Sequence, residues 1–243
     1  VKREDTCCPP PGPPFSKVRG VYAHIRKRPE RVIGALDTYH SQAGHAVARV
    51  CQALGRQAIV YYPEYKACLG PRKPQRRAQA LGADLIGLPA GRSCILFYGA
   101  RKDCEGKGGY MMPNALKLDE TVEETAREVP NRYFRTVVIP ASSGTIAAGV
   151  IRGFSDLGIQ VREFIIHLGY SRSHDQVLRY LRGKSGVVAP CTIVDEGYSY
   201  RDAAEAGPDP PWPCNQYYDL KTFRWWVAHR SQYSGPTLFW NIG

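Results

Sequence analysis

Short apolar, β-branched runs recur along the chain at 32–36, 58–62, 84–88, 136–140 and 160–167. Runs of this length and composition predict buried strands. Between them the apolar positions fall into a helical period at 16–28, 41–54, 75–81 and 145–157. Ser16 stands near the start of the first helix and Pro29 ends it, while Gly55 and Gly82 close the second and third. Strands buried on both faces and alternating with helices predict an α/β fold with mostly parallel sheets. Three stretches lack this pattern. The first fourteen residues read as loop, because Cys7-Cys8-Pro9-Pro10-Pro11-Gly12-Pro13-Pro14 has too many prolines for a helix or an inner strand. Residues 89–130 are weakly patterned, and 207–213 read as a proline-rich loop. No internal repeat is visible.

Chemistry first shows at Ala141-Ser142-Ser143-Gly144-Thr145, which joins a predicted buried strand to a predicted helix. Open α/β sheets bind ligands at such junctions. Small residues let backbone N–H groups approach an anion, and the helix N-terminus adds partial positive charge. The loop is neither a Walker A element nor a G-x-G-x-x-G fingerprint. The same hydroxyl residues also suit an ordinary helix cap.

Further segments then fall into a familiar order. Lys2-Arg3-Glu4-Asp5 followed by Phe15-Ser16-Lys17-Val18-Arg19-Gly20 resembles the opening of the fold-type II pyridoxal-phosphate enzymes, where a K-R-E-D stretch precedes G-N-K-x-R-K. Within that family the branch of 1-aminocyclopropane-1-carboxylate deaminase and D-cysteine desulfhydrase is the most similar, with tryptophan synthase β further off. Ser41-Gln42-Ala43-Gly44-His45 resembles the element beside the cofactor ring, and Ser143-Gly144-Thr145-Ile146-Ala147-Ala148-Gly149 resembles the phosphate loop T-G-S-T-Q-A-G. Asp195-Glu196-Gly197-Tyr198-Ser199 resembles D-P-V-Y-T, and Leu238-Phe239-Trp240-Asn241-Ile242-Gly243 resembles the closing L-F-x-H-T-G strand.

The resemblance implies pyridoxal 5'-phosphate as cofactor, with Lys17 forming the Schiff base and returning the proton. It implies that Ser142, Ser143, Gly144 and Thr145 bind the phosphate, and that Ser41 and Gln42 flank the ring. Tyr198 would meet the substrate and Ser199 the pyridine nitrogen. A neutral hydroxyl there leaves the nitrogen largely unprotonated, which favours elimination or deamination at the α-carbon over transamination. The implied architecture has two lobes, each a mostly parallel sheet flanked by helices: a larger cofactor-binding lobe of 1–36 plus 131–243, and a smaller one of 37–130. The family also implies a homodimer. Departures from its pattern are Gln42, or Gly44 in the other alignment, where relatives have asparagine, Phe15-Ser16 in place of the glycine-asparagine pair, and Gly20 in place of the second basic residue.

Composition changes the picture in one respect. The chain has 243 residues and 43% hydrophobic content, enough for a core and too much for wholesale disorder. No apolar run approaches a membrane span, and Val1-Lys2-Arg3-Glu4-Asp5 has no signal-peptide core, so a soluble cytoplasmic chain is expected. Its eight cysteines are scattered without any C-x-x-C, so neither a disulfide framework nor a metal site is expected. Charge is the distinctive feature: 33 Lys and Arg against 22 Asp and Glu give +11. Basic residues cluster at Arg26-Lys27-Arg28 with Arg31, at Arg72-Lys73 with Arg76-Arg77, and at Arg101-Lys102. Such a charge attracts nucleic acid through its phosphates, although no recognition helix, RRM or zinc-finger signature is present. Beside a lyase or deaminase acting on a free amino-acid-like substrate, the sequence therefore admits a short phage-type member that acts on an amino-acid-modified thymine in DNA. A catalytically silent binding protein with the same fold is the third reading.

Overall fold

The computed structural model describes residues 1–38, 40–65 and 70–243. In chain order its elements are β1 (Lys2–Arg3), α1 (Val18–Arg26), β2 (Val32–Leu36), α2 (Ala43–Ala53), β3 (Gln57–Glu64), α3 (Lys73–Ala80), β4 (Asp84–Pro89), α4 (Ser93–Gly106) and β5 (Tyr110–Met111). There follow α5 (Asp119–Arg127), β6 (Thr136–Ala141), α6 (Thr145–Asp156), β7 (Glu163–Leu168), α7 (His174–Ser185), β8 (Cys191–Val194), α8 (Asp219–His229) and β9 (Thr237–Asn241). Among the described residues every strand runs parallel to its neighbours in the sheet. The fold is α/β, with two parallel sheets flanked by helices.

The chain divides into two compact units. The first comprises Val1–Cys8, Pro14–Gly20 and Asp119–Gly243 and holds the sheet β1-β9-β6-β7-β8. Its strand β6 is buried at every position. Val137, Ile139, Ile151, Phe154, Ile166 and Trp240 form the centre of its core. Helices α5 and α6 approach closely because Gly149 and Gly153 lie one turn apart on the same face of α6. A Cβ at Gly149 would sit 2.5 Å from Thr125 Cβ, and one at Gly153 2.5 Å from Ala126 O. The second unit comprises Pro9–Pro13 and Val21–Leu118 and holds the sheet β4-β3-β2-β5. Its core gathers Leu36, Tyr61, Leu96, Ala100, Cys104 and Met111.

Two stretches differ from the sequence expectation. Lys2 and Arg3, read as loop, form an edge strand on Trp240 and Asn241, a pairing that no local pattern encodes. The weakly patterned 89–130 contains α4, β5 and α5. Among these α4 exposes Ile95 and Tyr98 while burying Leu96, Ala100 and Cys104, which blurs its amphipathic stripe.

Charge separates by unit. The first carries 17 Lys and Arg against 16 Asp and Glu, +1, and the second 16 against 6, +10 of the chain's +11. Among the described residues, no helix is long and apolar enough to cross a membrane, and no group of three His, Cys, Asp or Glu could hold a metal ion. Among the described residues no disulfide links the cysteines; Cys68 lies outside the described residues.

Candidate active site

Lys17 occupies the turn that enters α1, in the first unit, and is only 8% exposed. The turn is held from both sides. The Ser16 N–H donates to Ile242 O at 3.1 Å, just beyond β9. Arg19 donates to the fully buried carboxylate of Glu4 at 2.5 Å, and Lys2 pairs with Glu128 at 2.5 Å. Burial pushes the Glu4 carboxyl upward in pKa, and the charges of Arg19 and Lys2 pull it back. Asp5 accepts from Arg3 and, at 2.9 Å, from Asn241 Nδ2. Residues 2–5 are thus a set of ion pairs that fixes the lysine turn against the end of the last strand.

The Lys17 Nζ donates to Ser143 Oγ at 2.9 Å. Ser143 belongs to the loop between β6 and α6, where Gly144 adopts a left-handed conformation, φ +86°, just before the helix. Ser143 Oγ lies 3.0 Å from Thr145 Oγ1, which lies 2.9 Å from the hydroxyl of Tyr180. The Arg172 guanidinium donates to Ser142 O. A chain of hydroxyls at a helix N-terminus, with an arginine on the carbonyl of Ser142, thus begins at one buried amine. This donor set fits pyridoxal phosphate: the amine suits its aldehyde and the loop its phosphate.

A second buried lysine lies at the same end of this sheet. Gly169, just after β7, donates from its N–H to Ala141 O at 2.9 Å. Its own carbonyl accepts from Lys221 Nζ at 2.6 Å. Lys221 is 1% exposed, and its ammonium stands 4.2 Å from the centre of the Tyr198 ring. Burial pushes the Lys221 pKa down, and the carboxylates of Asp202 and Glu196 push it back up. Tyr170 meets Tyr200 edge to face at 5.2 Å, and burial pushes the Tyr218 phenol well up. Ser199 is exposed, and its Oγ donates to Asp202 at 2.7 Å.

Lys17, residues 142–145, Tyr198 and Ser199 all belong to the first unit, and Ser41 and Gln42 to the second. Ser41 Oγ accepts from the Ala43 N–H at 3.0 Å, at the first residue of α2, whose N-cap position is Gln42. Gln42 Oε1 lies 3.4 Å from His45 Nδ1. Beneath them Asp37 is fully buried, accepts from the Gly44 N–H and from Gln75 Nε2 at 2.7 Å, and has its pKa pushed up to about 6 by desolvation. Arg172, Tyr180, Tyr218 and Lys221 escaped the sequence reading. The density of tyrosines between 170 and 218 was the visible signal for the aromatic group. Lys221, inside the aromatic-rich α8, offered only the oddity of a charge on a buried face.

No protein-family model matches the chain. It is 48% identical over 260 residues to the glycyl-dTMP PLP-dependent decarboxylase of Pseudomonas phage M6, covering 100% of this chain and 93% of that protein. Among solved structures, an ACC deaminase homologue superposes with a TM-score of 0.79 at 18% identity, covering 100% of this chain and 83% of its own. Threonine deaminase isoform 2 of Solanum lycopersicum gives 0.65 at 16% identity, covering 100% and 78%. Diaminopropionate ammonia lyase of Escherichia coli gives 0.61 at 14%, covering 94% and 73%. The last three share the fold, and the first shares nearly half its residues from end to end. With a buried lysine set against a hydroxyl loop on this sheet, the chain belongs to the pyridoxal-phosphate-dependent enzymes of fold type II, in the family of the phage decarboxylase.

Proposed function

We propose that this chain is a decarboxylase that acts on a glycyl group carried by a thymidylate of DNA. The 48% identity over the whole chain to the phage glycyl-dTMP PLP-dependent decarboxylase carries the reaction, and the chain's charge of +11 favours a DNA-borne substrate. When bound, the cofactor supplies a reversible link to an amine and an electron sink for the adjoining carbon. That chemistry requires a primary amine on the carbon that loses its carboxylate. A glycyl unit joined through its nitrogen has no primary amine, and one joined through its carboxyl has no carboxylate to lose. The unit is therefore joined to the base through its α-carbon. The bond from that carbon to the carboxylate breaks, CO2 leaves, and a proton takes its place, so the product keeps a primary amine.

Lys17 Nζ is assigned the cofactor linkage and delivery of that proton. Residues Ser142, Ser143, Gly144 and Thr145 take the cofactor phosphate, with Arg172 beside them. Ser41 and Gln42 are assigned to the ring. Ser199 is assigned to its pyridine nitrogen, a role for which its hydroxyl exchanges its bond to Asp202. Tyr198 faces the substrate, and Lys221 acts as a positioning residue by holding that ring from beneath.

Elimination or deamination, the chemistry in the names of the distant structural neighbours, would consume the amine and release ammonia. Incubating the cofactor-loaded protein with glycyl-modified thymidine, as nucleotide and within DNA, separates the reactions by mass spectrometry. Loss of one CO2 per modified base with the amine retained is expected. Release of ammonia, or no change in either substrate, overturns the reading.

A further inference from the structure

We propose that the second unit carries the DNA-docking surface, centred on the C-terminal end of α1 and the edge strand β5. This rests on the DNA-borne substrate proposed above and adds where the polymer is held. The unit's +10 against the other unit's +1 means that the chain's attraction for polyanions resides almost wholly in it. Side chains converge there around Tyr110, on the outermost strand of the sheet. The Arg28 guanidinium stacks 4.0 Å over the Tyr110 ring and donates to its hydroxyl at 3.1 Å, and His24 Nε2 lies 3.0 Å from the same oxygen. Arg56 donates to the carbonyls of Arg28 and Glu30, which brings a further guanidinium to the turn after α1. Arg26, Lys27 and Arg31 are exposed around this turn.

Four cations within one helix end and the turn that follows, joined by Arg56 and offset in that stretch by Glu30 alone, repel one another, so the arrangement works against the stability of the free protein. A phosphate backbone relieves that repulsion and releases its own counterions on binding. The arginines are held by Tyr110 and by backbone carbonyls, which keeps them aimed without neutralising them. The chemistry matches phosphates spaced along a duplex and calls for no base contact, in keeping with the absence of a recognition motif.

The test measures binding of unmodified random-sequence duplex DNA to the cofactor-loaded protein across a salt series. The triple variant Arg26→Gln, Lys27→Gln, Arg31→Gln alters exposed side chains and leaves Arg28 and Arg56 in place. It is expected to weaken binding on the order of a hundredfold at low salt and to reduce the slope of log K against log salt by about 2 to 3. Its thermal midpoint at low salt should equal or exceed the parent's, and it should decarboxylate the free glycyl nucleotide at the parental rate. A control in the first unit, Arg179→Gln with Arg182→Gln, should leave DNA binding unchanged. Unaltered DNA binding in the triple variant, or an equal loss in the control, overturns the surface. Failure of the parent to decarboxylate any glycyl substrate overturns the proposed reaction instead, since the binding assay needs no turnover.

Discussion

The two units share an architecture and differ in how they use charge. Each is a parallel sheet with flanking helices, yet the first nearly balances its 17 cations with 16 anions, whereas the second sets 16 against 6. The first unit places charge inside: Lys17, Lys221, Glu4 and Asp219 are all buried and held by specific partners. The second places it outside, on helix ends and turns, with Asp37 its buried exception. A buried charge costs free energy and must be matched atom by atom, which gives the fixed geometry that covalent chemistry needs. An exposed charge costs little and acts at a distance, which suits capture of a long anion.

The largest test of this contrast is Lys17→Ala. Cofactor absorbance should be lost and turnover should fall on the order of a thousandfold or more, while DNA affinity stays at the parental value. A loss of DNA binding in that variant would break the division of labour. Lys221→Met should lower kcat about tenfold, since Tyr198 loses the cation beneath its ring. Its cofactor absorbance should persist, as should its stability, because a long apolar side chain replaces a buried charge. Tyr198→Phe keeps the ring over the ammonium, so the KM and kcat of the two variants tell positioning from direct contact. Gly149→Ala should destabilise the α5–α6 packing by about 1–3 kcal/mol, read as a denaturation midpoint, because the added methyl meets Thr125 at 2.5 Å.

A further test of the contrast lies in pH. Burial pushes the Asp219 pKa from 3.8 up to about 7 and Asp37 from 3.8 up to about 6. Both groups hold a proton more tightly in the folded chain, so folding takes up protons. Their contribution to stability is complete below about 4, and is lost as pH rises through about 6 for Asp37 and about 7 for Asp219. Asp219→Asn should flatten the upper part of that decline in urea midpoints, and Asp37→Asn the lower part. If either variant keeps the parental slope, that carboxyl is not the titrating group.

The inner strands were legible in the sequence because β-branched runs at 32–36, 58–62 and 136–140 need no tertiary information to be read as buried. Helix α4 was not legible, because its exposed Ile95 and Tyr98 disguise the buried stripe of Leu96, Ala100 and Cys104. Strand β1 could not be, because two charged residues become a strand only by pairing with a segment over two hundred residues away. The hydroxyl loop and Lys17 were read from motif order, and their 2.9 Å approach is a tertiary fact that motif order leaves open. Lys221 and Arg172 carry no motif at all. Their interest comes from what surrounds them: an aromatic ring and a carbonyl for the one, the Ser142 carbonyl for the other.

The position of β9 between β1 and β6 has a consequence for biosynthesis. The Lys17 turn leans on Ile242, so Lys17 is held in place by residues made more than two hundred positions later. Until that strand is inserted, β6 lacks its neighbour and the lysine turn lacks its anchor. The contacts that bury Lys17 in the folded chain are complete only when that strand is in place. The sheet of the first unit is thus completed by the last strand made, whereas the second unit, whose strands span 32–111, has its whole sheet translated well before that moment.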